Sequence, residues 1–469
     1  MTVARTQAPL MTMAEFVVGA EPPAGARSRA ANAVLDTVGV TLAGAIEPAS
    51  RIVHATIAKA EAGCVVVGTG ARASAPDVAL ANGTAAHALD FDDMCFVSLA
   101  HPSAPLVPAV LAVAELSAKS GRDVLAAYVV GFEIEARLGR LMNPRHYQRG
   151  WHCTSTLGAI GAAAAASRLL GLDPSAAAHA LAIAASQASG LKENFGSMVK
   201  PLHAGLAARH GVVAALLARG GMTASAQALD GPQGFLHAMD SERPDLAPAM
   251  DDLGTRWEIL DTGITMKLYP SCAATHPALD ALLDLRASEG LTPAAVESIE
   301  IDVDRITPTV LRYDRPTNAL EAKFSMPFCA AVAMADGRVG IDTFSDDRIR
   351  DASLTPLLGC VTMRVDEALG LDTPPLTQAR VRVRLRDGRV LERDAHGARG
   401  YPDRPATVAD VDAKFMACAT RALSRDRATM ALECLRRVEE LADVRELTTM
   451  FVVKALSRRA SARARASRS

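Results

Sequence analysis

The first half of the chain carries a helical pattern of apolar residues almost without interruption, from Ala14 to about Gly263. Hydrophobic residues make up 49% of the sequence but aromatic residues only 4%, so alanine, leucine and valine dominate the apolar content. Such side chains favour helices that pack closely. Asp173 as N-cap and Pro174 in the first turn predict the start of one helix. Other helices are predicted at 27–44, 105–119, 123–142, 154–170 and 206–219.

The pattern changes near Ile264. Residues 296–303 alternate between polar and apolar, which is typical of a half-buried strand. A second strand is predicted at 360–365, and Arg386-Asp387-Gly388 predicts the turn of a hairpin. The arms of this hairpin are predicted at 379–385 and 389–394. Helices are predicted between these strands at 277–289, 321–335 and 346–357, and the chain reads as helical again over 408–441.

This order of elements predicts a mainly α fold. A large all-helical domain is built from both chain ends, and a smaller α+β domain is inserted into it. We expect the first part of the helical domain at 1–265, the α+β domain at 266–398 and the second part of the helical domain at 399–469. The basic stretch 458–465 is expected to be a frayed tail.

Composition narrows the class of protein further. The net charge of the 469 residues is −2, so nothing indicates nucleic acid or a membrane as partner. The eight cysteines are scattered without a CxxC pair, which argues against a zinc site and suits the reducing cytoplasm. Residues 1–10 lack the apolar core of a signal peptide. We therefore expect a cytoplasmic protein.

Three carboxylates fall within four positions, at Asp90, Asp92 and Asp93, between His87 and His101. The surrounding sequence is strongly apolar. Burying charges without partners is expensive, so a cluster this dense is either a solvated loop or a site whose groups have tuned pKa values.

Three other groups of residues could form a functional site, but each gives only a weak signal by itself. His152 precedes a helix rich in glycine and alanine, whose N-terminus favours anions. Lys200 and His203 stand three apart before an amphipathic helix, where they suit carboxylate binding and proton transfer. Lys267, Cys272 and His276 lie where the helical pattern gives way to the α+β pattern. The alternatives are that His152 lies in a capping loop, that Lys200 is a solvated lysine and that Cys272 is a buried structural cysteine.

Motifs for common cofactors are missing from the sequence. It contains no GxGxxG or Walker motif, no GxSxG elbow and no HExxH. The residue types therefore permit acid–base chemistry without a cofactor. The cluster from Asp90 to Asp93 could hold a hard cation through oxygen ligands. We rank that hypothesis below a site without metal.

Taken in order, these segments resemble the MmgE/PrpD family. The family includes 2-methylcitrate dehydratase, cis-aconitate decarboxylase and iminodisuccinate epimerase. The matching segments are 82–93, 101–102, 150–156, 200–205, 267–272, 275–277 and 321–325, with 396–397 and 414–415 near the end. The resemblance implies a homodimer with its active site in a cleft between the two domains, and it implies no required cofactor and no metal.

The resemblance also implies which residues act. The catalytic set is Asp90, His101, His152, Lys200 and Lys267, and the substrate-binding set is Asp93, His203, Cys272, His276 and Phe328. Three positions depart from the decarboxylase branch of the family. Met94 replaces a threonine, Cys272 a histidine and Phe328 a tyrosine, and one extra residue lies between Asp90 and His101. These departures weigh against decarboxylation of cis-aconitate.

The reactions of this family pass through a carbanion or enediolate next to a carboxylate. Lys200 and Lys267 could stabilise that charge, and His101 and His152 could move the proton. Asp90 could orient or charge a neighbouring histidine. We expect a cofactor-independent lyase that hydrates or dehydrates a small di- or tricarboxylate. An epimerase or isomerase, a cis-aconitate-type decarboxylase and a non-catalytic carboxylate-binding protein remain as alternatives.

Overall fold

The structure, a computed structural model, describes residues 8–370 and 377–453. It confirms a mainly α fold. The helices of the first part are α1 (Pro9–Gly19), α2 (Ala24–Gly44), α3 (Pro48–Thr56), α4 (Ala75–His87), α5 (Ser103–Leu116), α6 (Gly121–Met142), α7 (Arg145–Gln148), α8 (Cys153–Leu169), α9 (Pro174–Gln187), α10 (Val199–Arg219), α11 (Phe235–Ala238) and α12 (Glu258–Asp261).

The helices predicted in this first part are present, with ends that differ by a few residues. Asp173 is the N-cap of α9, since its Oδ1 accepts a hydrogen bond from the Ala176 N–H at 2.9 Å. Helix α10 begins at Val199 rather than at 206, so Lys200 and His203 lie inside its first two turns. The placement of these two side chains therefore depends on a helix and not on a loop.

A small antiparallel sheet interrupts the helical pattern and was not predicted. Its strands are β1 (Lys59–Ala60), β2 (Cys64–Val65) and β3 (Arg72–Ala73), in the order β1-β3-β2. Each strand has only two residues, which is too short for an alternating pattern to appear in the sequence.

The middle of the chain forms the α+β part. Its elements are α13 (His276–Glu289), β4 (Val296–Val303), α14 (Thr307–Val310), α15 (Ala319–Ala322), α16 (Met326–Asp336), α17 (Asp346–Ile349), α18 (Thr355–Cys360), β5 (Val361–Val365), β6 (Ala379–Leu385) and β7 (Val390–Ala395). The strands form one sheet in the order β5-β4-β6-β7, in which β4 and β5 are parallel and the other pairs are antiparallel. The predicted hairpin is β6 and β7.

Two helices predicted in this part are each broken in two. The stretch 321–335 divides because Ser325 caps a new helix, α16, by accepting a hydrogen bond from the Phe328 N–H. The stretch 346–357 divides into α17 and α18, with Asp351 capping a short 3-10 turn between them. At these positions the capping side chain accepts hydrogen bonds from backbone N–H groups. In a continuous helix the same N–H groups would bond to carbonyls of the preceding turn.

The last helices are α19 (Val408–Ala419), α20 (Arg425–Arg436) and α21 (Arg445–Thr448). The single helix predicted over 408–441 is broken because Ser424 caps α20. The basic stretch 458–465 lies outside the described residues. Across 8–370 and 377–453, no helix is both long and apolar enough to span a membrane.

Two hydrophobic cores organise the described chain. One core draws on residues between Leu10 and Met266 and again between Val411 and Phe451. The other draws on residues between Tyr269 and Ala395, with Phe195 added from the helical part. The two chain ends thus share one core. The domain boundaries after residues 265 and 398 stay a prediction.

Candidate active site

A cavity of about 270 Å³ lies between the two cores. The helical part and the α+β part both contribute to its wall. The helical part supplies Asp90, Met94, Phe96, Leu99, His101, Tyr147, His152, Phe195 and Lys200, and the α+β part supplies Cys272 to Ala274, Asp304 to Ile306, Val310, Phe324, Glu367, Leu369, Gly370 and Thr377. Most of the wall is apolar, and the titratable groups of the helical part are concentrated around Asp90.

The loop of residues 88–93, here called the Asp90 loop, follows the last residue of α4. Asp90 has a φ of +52°, a left-handed conformation that non-glycine residues adopt rarely. Its carboxylate lies 2.6 Å from Lys200 Nζ and 3.3 Å from Lys267 Nζ. Burial alone would raise the pKa of Asp90, but these two ammonium groups outweigh burial and hold it well below the ordinary value.

Asp92 lies between two histidines. Its Oδ2 is 2.7 Å from His87 Nδ1 and 3.1 Å from His101 Nδ1. His87 Nε2 lies 2.8 Å from Lys200 Nζ, and an ammonium can only donate, so His87 accepts there and donates from Nδ1 to Asp92. Burial lowers the pKa of His87 to about 4, which agrees with a neutral ring.

His152 is the residue immediately before α8 and lines the cavity. Its Nδ1 lies 3.1 Å from His203 Nδ1, so one of the two rings donates and the other accepts. Its Nε2 is buried and has no hydrogen-bond partner among the described residues. Burial, reinforced by the charge of Lys200, holds the pKa of His152 well below the ordinary value. A neutral imidazole nitrogen is therefore available for proton transfer at the cavity wall.

Sequence comparison adds an independent observation. The model of the MmgE/PrpD N-terminal domain matches residues 11–246, and the model of the MmgE/PrpD C-terminal domain matches residues 269–440. The chain belongs to the MmgE/PrpD family. This confirms the resemblance drawn from the sequence motifs.

Curated relatives in the MmgE/PrpD family are distant in sequence. Cis-aconitate decarboxylase of Homo sapiens is 31% identical over 384 residues, covering 80% of this chain and 78% of the human protein. Cis-aconitate decarboxylase of Aspergillus terreus is 30% identical and covers 78% of this chain and 79% of its own. A cis-aconitate decarboxylase-like protein of Aspergillus oryzae, oryM, is 29% identical over 457 residues, covering 92% of this chain and 93% of its own.

Five of the predicted site residues line the cavity of this MmgE/PrpD protein. They are Asp90, His101, His152, Lys200 and Cys272. Two others lie directly behind this wall and contact it. Lys267 is fully buried and donates to the Asp90 carbonyl at 2.5 Å, and His203 lies behind His152.

Three residues predicted to bind substrate lie outside the cavity wall. Asp93 accepts hydrogen bonds from the backbone N–H and hydroxyl of Ser103. The ring of His276 packs against Tyr269, and Phe328 is 1% exposed inside the second core. Protein groups enclose each of the three, which suits support of the fold, and substrate binding by them stays a prediction.

His87 stands beside the acidic cluster in the sequence but has no predicted role, and the loops from the α+β part were not predicted. His87 ends α4 three residues before Asp90, so the cluster already contained it. Asp304 and Glu367 lie just after β4 and β5, which are parallel. Loops at the carboxyl ends of parallel strands meet at one sheet edge and commonly form binding sites, and this signal could have identified them.

A metal ion is the remaining chemical possibility at this cluster. His87, Asp90, Asp92 and His101 each offer a ligand atom, and these atoms lie within 4.8 Å of one another. Lys200 Nζ, however, donates to both His87 and Asp90, and Lys267 places a second positive charge beside Asp90. Two ammonium groups already lie beside Asp90 and would repel a divalent cation, so this donor set fits one poorly.

Proposed function

We propose that this protein is a cofactor-independent lyase that dehydrates or hydrates a small di- or tricarboxylate. The observation that carries the proposal is the unpartnered Nε2 of His152 on the wall of a cavity that also presents Lys200. A neutral base next to a fixed positive charge suits removal of a proton from carbon adjacent to a carboxylate.

In the direction of dehydration, a substrate carboxylate binds beside Lys200. His152 takes the proton from the neighbouring carbon, and the charge that develops on the carboxylate oxygens is stabilised by the Lys200 ammonium. The carbon–hydroxyl bond then breaks, His101 gives a proton to the leaving hydroxyl, and water departs as the double bond forms. Hydration is the reverse sequence. The Asp90 carboxylate holds Lys200 in place during both dehydration and hydration.

The distribution of titratable groups favours a lyase over an epimerase. An epimerase needs a proton-transfer group on each face of the substrate carbon. In this cavity His101, His152 and Lys200 all come from the helical part. From the α+β part, burial raises the pKa of the Cys272 thiol to about 11, so this group stays protonated at neutral pH. Of the carboxylates that this part adds to the wall, Asp304 accepts hydrogen bonds from the Ile306 and Thr307 N–H groups, and Glu367 pairs with Arg305.

Decarboxylation of cis-aconitate is the second candidate, because the curated relatives named above carry that activity. Two of the three departures from the decarboxylase pattern, Met94 and Cys272, line the cavity and support a different reaction. The third, Phe328, lies outside the cavity wall. Met94→Thr combined with Cys272→His is expected to raise itaconate formation from cis-aconitate if these positions select the reaction.

Proton NMR of the protein with a panel of hydroxylated and unsaturated di- and tricarboxylates in D₂O tests the proposal. We expect interconversion of a hydroxy acid and its alkene, with deuterium at the carbon next to a carboxylate. His152→Gln should abolish both signals, whereas the exposed His237→Gln is the matched control and should keep them. Itaconate from cis-aconitate as the main product would favour decarboxylation, and no conversion of any acid would contradict the proposal.

A further inference from the structure

Three consecutive backbone carbonyl groups of the Asp90 loop each accept a hydrogen bond from a different buried lysine. The pairs are Leu89 O with Lys323 Nζ at 2.8 Å, Asp90 O with Lys267 Nζ at 2.5 Å, and Phe91 O with Lys414 Nζ at 2.7 Å. The three lysines are 0–6% exposed. Burying an ammonium group is costly, so this arrangement needs specific compensation at each position.

The compensating partners differ among the lysines. Lys414 pairs with Asp36 of α2 at 2.7 Å, so its positive charge is neutralised. Lys323 has no such carboxylate within ion-pair distance among the described residues, and its second acceptor is the Pro270 carbonyl at 2.9 Å. Each buried ammonium group therefore donates at least one of its hydrogen bonds to a loop carbonyl.

The lysines reach the loop from separate parts of the chain. Lys267 lies where the helical part passes into the α+β part, Lys323 lies between α15 and α16, and Lys414 lies in α19 near the other chain end. The loop is thus held in place only when the α+β part and the last helices have both packed against the first part. This arrangement links the geometry of the site to the assembly of the whole fold.

The Asp90 loop needs external support. Asp90 at φ +52° is in a conformation that is unfavourable for a non-glycine residue, and leaving the buried carbonyls without partners would add to that cost. The carboxylate of this same residue fixes Lys200 at 2.6 Å. A shift in the backbone at Leu89 or Phe91 would therefore move the carboxylate that holds the substrate-binding ammonium group.

We propose that Lys323 and Lys414 are positioning residues, which hold the Asp90 loop in its left-handed conformation and so align Asp90 with Lys200. Neither lysine lies on the wall of the cavity. The inference rests on the proposed function only for its activity measurement, because the loop itself can be observed without any substrate.

Variants at Lys414 distinguish a role in positioning the Asp90 loop from a role in the stability of the fold. Lys414→Met leaves the Asp36 carboxylate buried without its partner and should lower the Tm. Asp36→Ala with Lys414→Met removes that stranded charge and should recover most of the Tm. Because Phe91 O still lacks its donor, we expect kcat of the double variant to stay at least about 10-fold below wild type, with KM changed much less. Recovery of kcat together with the Tm would overturn the proposal.

Hydrogen exchange measured by mass spectrometry provides the readout that needs no substrate. Peptides covering residues 86–95 should exchange faster in the double variant and in Lys323→Met than in wild type. The exposed Lys59→Met is the matched control and should leave both exchange and kcat unchanged. If wild type converts no acid in the panel, the proposed function fails, but hydrogen exchange still tests the positioning role. Wild-type exchange rates in the double variant and in Lys323→Met would overturn the positioning role.

Discussion

At the scale of single residues, four histidines meet beside the Asp90 loop. The ring centroids of His87 and His101 are 4.6 Å apart, those of His87 and His152 are 5.7 Å apart, and those of His152 and His203 are 5.3 Å apart. Burial lowers the pKa of His87 and His203 to about 4 and holds that of His152 well below its ordinary value. The site therefore offers neutral imidazoles next to the positive charge of Lys200, and such rings can accept or donate protons at neutral pH.

The first prediction concerns the two histidines on the cavity wall. His101→Ala and His152→Ala should each lower kcat by about 100-fold or more, because each removes a group that transfers a proton in the reaction. Steady-state kinetics on the acid identified by NMR measures the change, and circular dichroism checks that the variants stay folded. Wild-type kcat in a folded variant would remove that histidine from the mechanism.

The second prediction concerns Asp93, whose pKa is raised to about 8 by burial and, to a smaller degree, by the nearby carboxylates of Asp36 and Asp92. Its pKa in the unfolded chain is close to 4, so the folded state binds the extra proton between these values. On account of this group, the free energy of unfolding falls as pH rises from about 4 to about 8.

Asp93→Asn removes that dependence. The free energy of unfolding of wild type minus that of the variant should decrease by at least about 1.4 kcal/mol between pH 5 and pH 8, the equivalent of one pKa unit. Urea denaturation at several pH values measures it. A difference that stays constant over this range would mean that Asp93 is ionised throughout.

At the scale of elements, the close contact of α4 with α10 places Lys200 beside His87. The two helices meet at Gly83 and Gly205, where a Cβ atom on Gly83 would lie 2.8 Å from the Gly205 Cα. Absence of a side chain at this crossing lets the backbones approach. Lys200 lies one turn before Gly205 on α10, so the separation of the helices sets the reach of its ammonium group to the end of α4.

The third prediction follows from that contact. In Gly205→Ala the new Cβ would lie 2.3 Å from the Leu80 carbonyl oxygen and 2.3 Å from the Thr84 hydroxyl oxygen, so α10 must move away from α4. We expect a loss of about 1–3 kcal/mol in the free energy of unfolding and a lower kcat. Gly25→Ala in α2 is the control, because its Cβ would meet only Leu260 Cδ2 at 3.7 Å. Equal stability of the two variants would contradict the tight contact.

At the scale of the whole molecule, the cavity exists only because two cores pack together. Its histidines and Lys200 come from the helical part, while Cys272, Ile306, Val310 and Phe324 of the α+β part cover them. Covering the cavity limits access of water, which strengthens the electrostatic effect of Lys200 on a bound carboxylate. The homodimer implied by the family resemblance stays a prediction, and light scattering of the full chain tests it.

The fourth prediction concerns ligand binding between the two cores. An acid converted by the protein should raise the Tm, since binding at 100 times its Kd adds about 2.7 kcal/mol to the folded state. Lys200→Met should lose the shift in Tm caused by the acid, whatever its own Tm. Lys59→Met should keep the shift. Differential scanning fluorimetry at increasing acid concentration measures it, and a full shift in Lys200→Met would place the carboxylate elsewhere.

Much of this protein follows from its sequence alone. The helical periodicity of the first half, the change of pattern near Ile264 and the turn at 386–388 predicted the mainly α fold and the strands of the larger sheet, because these signals are local. The dense acidic cluster and the spaced histidines and lysines indicated the family and the carboxylate, histidines and lysine that the helical part places on the cavity wall. Local signals failed where side-chain caps such as Ser325 and Ser424 divide a helix whose apolar pattern continues through them.

Only the tertiary structure decided which members of the predicted site reach the cavity. Asp92 and Asp93 are adjacent in sequence, yet Asp92 contacts two histidines of the site while Asp93 binds Ser103 beneath it. Likewise, Lys267 is adjacent to the site in space but enclosed behind Asp90. The lysines that hold the Asp90 loop are separated from it by up to 323 residues. Sequence patterns record which groups are present and on which element, whereas burial and partner choice arise when distant elements pack together.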